Sequence, residues 1–267
     1  MGAVNPPPSS LHVFLVVEEN HGYSQVIGNS SMPYLNGLAS TYGLATQYYA
    51  DAHPSIGNYF MLTTGQIETI DDAFQGTVTD DNIVRELVKT NHTWRSYAES
   101  LPTVGYLGGD VYPYFKHHNP FAYFSDVIGT SQANNIVPFS NFSSDLASGS
   151  LPDFSFIIPN ALNDAHDGTL ASADQWLSTN IDPLIKSNGF QNGGLLIIVF
   201  DESVLTDLQH IGGHVAWVVI GPQVKSGYQS STFFQHESTL RLVLSTLGVT
   251  GFPGASASAP DMGEFFK

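Results

Sequence analysis

Four short apolar runs constrain what this chain can fold into more than anything else in it. They are Val13-Phe14-Leu15-Val16-Val17, Phe154-Ser155-Phe156-Ile157-Ile158, Leu195-Leu196-Ile197-Ile198-Val199-Phe200 and Val215-Ala216-Trp217-Val218-Val219-Ile220. Their β-branched and aromatic content, without polar alternation, suits strands covered on both faces. Helix-like stretches lie between them, so the class is α/β. Met32–Tyr42 reads as a helix with Pro33 in its first turn, and Ile83–Lys89 as a helix continuing toward His92–Leu101. Ser172–Asn188 reads as a helix with an internal Pro183, and Ser238–Leu247 as one closed by Gly248.

A length of 267 residues suits one domain over residues 11–267, after a flexible or polyproline-like lead-in at 1–10. Residues 105–150, rich in Gly, Tyr, Phe and Asn, read as a long excursion serving as a lid or pocket wall. No apolar run reaches the roughly 18 residues of a membrane span. The first residues show neither the basic nor the apolar region of a signal peptide. The absence of cysteine excludes disulfides, thiolate metal sites and cysteine nucleophiles. A net charge of −16, from 24 acidic residues against 8 Lys and Arg, argues against nucleic-acid binding through basic patches. It also means that a site handling phosphate oxygens would draw its positive charge from a metal and histidines.

The runs end in polar residues: Glu18-Glu19-Asn20, Pro159-Asn160, Asp201-Glu202 and Gly221-Pro222. In open α/β sheets ligands lie beyond the carboxyl ends of the strands, so two acidic pairs distant in the chain can converge there. Their oxygens suit hard or borderline divalent cations, although the same residues also serve as caps and turns. In His53-Pro54-Ser55-Ile56-Gly57-Asn58-Tyr59, Ser55 stands at a helix start, as an ordinary cap or, beside a metal, as a nucleophile. His117-His118 lies within the aromatic excursion, and Asn163-Asp164-Ala165-His166-Asp167-Gly168 reads as a polar turn. His210 and His214 have a metal-binding spacing, but Gly212-Gly213 breaks any helix between them. Trp94, Trp176 and Trp217 read as core or pocket-wall residues.

Taken in order, Glu19-Asn20-His21, His53-Pro54-Ser55 with Asn58-Tyr59, His117-His118-Asn119-Pro120-Phe121, Asn163-Asp164-Ala165-His166-Asp167 and Phe200-Asp201-Glu202-Ser203 resemble a phosphoesterase family. That family includes the non-haemolytic-type bacterial phospholipases C and related acid phosphatases, within the alkaline-phosphatase-like superfamily. The resemblance runs from about His12 to the C-terminus. It implies a three-layer α/β/α sandwich around a largely parallel sheet. It further implies one divalent metal ion (Ca, Mg, Mn, Zn or Fe) held by Glu19, Asn20, Asp201 and Glu202, with Ser55 as the metal-bound nucleophile. His118 and His166 would contact phosphoryl oxygens, with His117 and His53 as further substrate-binding residues. The chain departs from the pattern in carrying Asp-Glu where some relatives carry Asp-Asp, and His210–His214 where an arginine-bearing turn is expected.

The implied activity is an acid-phosphatase-like phosphomonoesterase acting through a Ser55 phosphoserine, favoured below neutral pH by histidine protonation. The alternatives are a phospholipase C cleaving lipid head groups and a non-catalytic metal-binding surface protein. The common sulfatase route is removed by the lack of cysteine. A secreted or periplasmic location is expected, with a small phosphoester or phospholipid as substrate and no partner protein.

Overall fold

All four apolar runs form strands in the computed structural model, which describes residues 7, 8 and 10–267. Of the lead-in expected at 1–10, residues 1–6 and 9 lie outside the described residues; the Ser10 amide donates to the Thr246 carbonyl at 2.9 Å. The strands are β1 (His12–Glu18), β2 (Gly43–Ala45), β3 (Trp94–Ala98), β4 (Ile136–Pro138), β5 (Phe154–Ile158), β6 (Gly194–Phe200), β7 (Trp217–Ile220) and β8 (Tyr228–Ser230). They make one sheet in the order β4-β3-β5-β1-β6-β7-β2-β8. Every pairing is parallel except those of β7 with β6 and with β2, so β7 alone runs against the rest. β1 and β5 to β7 are buried along nearly their whole length, as strands with helices on both faces must be.

The helices are α1 (Tyr23–Val26), α2 (Pro33–Thr41), α3 (Ile56–Thr64), α4 (Ile83–Lys89), α5 (Ser140–Ser148), α6 (Leu170–Asn180), α7 (Asp182–Lys186), α8 (Asn188–Gln191) and α9 (His236–Thr246). One group packs α2 on α6 and α6 on α7; another packs α3 and α4 on α9. The result is the α/β/α sandwich with a largely parallel sheet. Among the described residues no helix is long and apolar enough to cross a membrane.

Three expectations are corrected. The helix expected to continue through His92–Leu101 is broken at Asn91, whose φ of 60° lies in the left-handed region, and the chain then enters β3. There Trp94 and Ser96 pair with Phe154 and Phe156 of β5. The Ser172–Asn188 helix is two. The first is capped by Thr169, and the second has Pro183 in its opening turn, where a missing N–H costs nothing. Finally, because β7 is antiparallel, Gly221-Pro222 lies at the edge remote from Glu19 and Asp201. It is the segment leading into β7, at His214–Ala216, that comes to the edge carrying Glu19 and Asp201: the Phe200 amide donates to the Ala216 carbonyl at 3.0 Å.

Candidate active site

The register of the two central strands decides what meets beyond them. Glu18 of β1 pairs with Phe200 of β6, so Glu19-Asn20 and Asp201-Glu202 leave the sheet side by side. The Asp201 amide donates to the Glu18 carbonyl at 2.9 Å, and the Asn20 amide to Asp201 Oδ1 at 3.2 Å. Asn20 sits at φ 53°, a left-handed turn that asparagine tolerates. His236, the first residue of α9, donates from Nε2 to the Asp201 carbonyl at 2.6 Å and fixes this turn from below.

Ser55 stands at the start of α3, yet its hydroxyl does not cap the helix. Instead Oγ lies 3.1 Å from Glu19 Oε2 and 3.1 Å from Glu202 Oε1. One hydroxyl proton serves only one of two carboxylates, so the arrangement lacks a positive charge or a further proton. Asn20 Oδ1 and Asp201 Oδ2 are buried without any hydrogen-bond partner. Burial, then the neighbouring carboxylates Asp201 and Asp164, push Glu19 well above the ordinary carboxyl range. Glu202 is pushed up to about 9, by burial and then by Asp201. Among the described residues no Lys or Arg forms an ion pair with these acids. Orphaned lone pairs on buried acids without a cation are the donor set of a divalent metal, and the residues present fit one.

A second group of donors shares Glu19. His118 is buried and places Nε2 3.4 Å from Glu19 Oε1 and Nδ1 3.6 Å from Asp164 Oδ2. Ligand atoms of Glu19, His118 and Asp164 all lie within 4.8 Å of one another, close enough to surround an ion. Tyr59, one turn into α3, donates its hydroxyl to Glu19 Oε1 and stacks on His118 at 5.1 Å. Asp164 uses Oδ1 to accept the His166 amide at 2.8 Å, the turn its sequence suggests, while Oδ2 has no hydrogen-bond partner. Asp164 and Tyr59 belong to quoted motifs but were not expected to act. No sequence signal separates an Asp164 turn from a ligand, because one carboxylate can serve as both.

The remaining histidines divide. His166 lines a cleft of about 400 Å³ with Asn20, Ser55, Asp72, Glu202 and Leu205, and its Nδ1 bonds Asp167 Oδ1 at 2.8 Å. His117 stacks on Phe115 beside His118, with Nδ1 3.7 Å from Asp110. His53 has both nitrogens engaged, Nδ1 with Glu202 Oε2 and Nε2 with the Asp207 carbonyl at 3.0 Å. His214 is stacked between Tyr23 and Tyr49, with Nε2 on the Thr46 carbonyl, while His210 packs on Tyr49. The excursion at 105–150 carries His117 and His118 on a 3₁₀ turn, anchored by buried Tyr114, Phe121, Tyr123 and Phe124. The three tryptophans are buried.

The chain matches the model of the Phosphoesterase family over residues 28–250. It is 32% identical over 271 residues to a phosphatidylinositol-3-phosphatase of Mycobacterium tuberculosis, covering 99% of this chain and 85% of that protein. It is 31% identical over 249 residues to an acid phosphatase of Aspergillus fumigatus, covering 88% of this chain and 54% of that one. The chain thus spans about half the length of the fungal relatives it matches. Among solved structures, an alkaline phosphatase superfamily protein from Vibrio parahaemolyticus superposes with a TM-score of 0.64 at 16% identity, covering 92% of this chain and 68% of that one. A phosphonate monoester hydrolase of Agrobacterium radiobacter does so with a TM-score of 0.60 at 13% identity, covering 96% and 77%. These two show the fold. The chain belongs to the Phosphoesterase family and is a phosphoester hydrolase.

Proposed function

We propose that this member of the Phosphoesterase family is a metal-dependent phosphomonoesterase in which Ser55 is the nucleophile. The observation that carries this is the Ser55 hydroxyl, at a helix start but turned away from the helix and held between two buried carboxylates. Glu19, Asn20, Ser55, Asp201 and Glu202 would hold the ion. A divalent cation there supplies the missing positive charge and lowers the pKa of the serine hydroxyl.

The chain's own groups account for the rest. Ser55 Oγ gives its proton to one of the two flanking carboxylates and attacks phosphorus in line; the P–O bond to the leaving group breaks, and phosphoserine forms. His166, oriented by Asp167, gives a proton to the leaving oxygen, and water then hydrolyses the phosphoserine. Burial, followed by His117 and His166, holds His118 well below the usual histidine range. His118 therefore acts as a neutral group, and Tyr59 and Asp164 hold it in place. The buried His118 does not contribute to the acidic profile expected from histidine protonation. His53, engaged at both nitrogens, orients Glu202 in place of contacting substrate. The names of both relatives, phosphatases, favour a monoester over the phospholipase C reading. A secreted or periplasmic location remains part of this proposal.

Elemental analysis, with p-nitrophenyl phosphate hydrolysis before and after chelation, tests the reading. Bound divalent metal, activity lost to chelator and restored by metal, and a phosphoserine trapped at Ser55 are expected. Full activity in the metal-free protein sinks it.

A further inference from the structure

Residues 203–213 form a loop that closes on itself. The Ser203 amide donates to the Gly212 carbonyl at 2.9 Å, Asp207 to Val204 at 2.8 Å, Ile211 to Leu208 at 3.1 Å and Gly213 to Gln209 at 2.8 Å. Its carboxylate is turned inward, where Asp207 Oδ2 accepts the His214 amide at 3.1 Å and the Asp207 carbonyl holds His53. His210 packs on Tyr49 and Phe233. The loop is therefore firmly built, yet it spends its large apolar side chains outward: Leu205 is 69% exposed, Leu208 71% and Ile211 64%. Ile211 also sits at φ 77°, a region a β-branched residue enters only under constraint. Stability explains neither the exposure nor the strain.

We propose that this loop is a docking surface for a lipid bilayer of zwitterionic head groups, which presents lipid-borne phosphomonoesters to the site. The inference rests on the phosphatase reading above and names a substrate class for it. Three observations select this occupant. The same loop lines the catalytic cleft through Ser203, Val204 and Leu205, so what docks on it is delivered beside Ser55. The amides of Ser203, Asp207, Gln209, Ile211 and Gly213 bond within the protein, and Leu205, Leu208 and Ile211 offer apolar surface of the kind that enters the head-group boundary. A chain of net charge −16 gains nothing from an anionic membrane, so attachment falls to apolar insertion.

The test uses the metal-loaded protein with phosphatidylcholine vesicles containing a minor fraction of phosphatidic acid, and p-nitrophenyl phosphate as the soluble substrate. In the double variant Leu208→Gln/Ile211→Asn, Asn accepts the left-handed backbone and neither position lines the cleft. Vesicle binding and the rate on phosphatidic acid should fall at least about tenfold, the order expected from losing two inserted side chains. Activity on p-nitrophenyl phosphate should stay within about twofold, as for surface substitutions. Leu208→Trp should tighten vesicle binding. Equal vesicle binding by wild type and double variant overturns the proposal. So does a wild-type dimer that the double variant dissolves, which assigns the surface to a second copy. If the wild type binds vesicles but hydrolyses neither substrate, the phosphatase reading fails and the docking surface stands.

Discussion

At the ends of β1 and β6, Glu19, Asp201 and Glu202 crowd around one serine hydroxyl, with lone pairs of Asn20 and Asp201 left over. Beneath the start of α9, Asp51 meets the half-buried Glu237 as another acidic pair, with Glu237 Oε2 also lacking a hydrogen-bond partner. Asp51 Oδ2 accepts the His236 amide at 3.3 Å, while burial and then Glu237 push Asp51 well above the carboxyl range. Two carboxyls in contact need one shared proton; the site at Ser55 has three acids and no Lys or Arg to offset them. The lesson is that burying acids does not by itself make a metal centre. Unspent lone pairs converging on a potential nucleophile mark the difference.

The comparison breaks most readily at Ser55. Ser55→Ala should lower the turnover of p-nitrophenyl phosphate by roughly 10⁴-fold, in line with nucleophile removals elsewhere, while metal still binds. A loss below tenfold would place the chemistry on another group. Next, Asp201→Asn should weaken divalent-metal affinity by at least about 100-fold in calorimetric titration, beyond the 10–100-fold of supporting residues. Asp51→Asn should leave that affinity unchanged. If both variants bind alike, the two clusters are not different in kind.

Chelation gives a smaller effect. An ion held at 100 to 1,000 times its dissociation constant stabilises the native state by about 3–4 kcal/mol. Its removal should lower the melting temperature by roughly 5–10 °C.

The smallest effect concerns protons at the second pair. A carboxyl raised in the folded state binds more protons there than in the unfolded chain. Its contribution is present below the unfolded pKa and is lost as pH rises through the folded one. Asp51→Asn, with an amide that both donates and accepts, should therefore melt above wild type at pH 7 and close to it at pH 4. Equal melting at both values would show that no proton is shared.

The sheet's centre was legible because β1, β5, β6 and β7 are buried on both faces and therefore continuously apolar. β3 was not, because Arg95 and Ser96 interrupt its pattern and a helix pattern precedes it; β2, β4 and β8 are three residues each, too short to show a period. At the site, Glu19-Asn20 and Asp201-Glu202 converge as the strand ends implied, and Ser55 meets them from the start of α3. Asp164 escaped because one of its oxygens makes the turn that the sequence shows. Its second oxygen faces His118 from across the chain, and no local pattern encodes that approach. The sequence gives the His53 ring no direction, so its motif points equally to substrate or to a neighbouring acid. The fold spends its nitrogens on Glu202 and on the backbone of the loop that follows.

The lone reversed strand has a further consequence. Because β7 returns antiparallel to β6, the segment between them leaves the catalytic edge and comes back to it. Both of its anchors are set by sheet register, and its length is set by neither. Apart from Asp201 and Glu202, which belong to the site, and Asp207, whose carbonyl holds His53, residues here can be exchanged without shifting β1 or β6. The scaffold thus has a cassette position, in which a new recognition loop can be grafted beside an unchanged reaction centre.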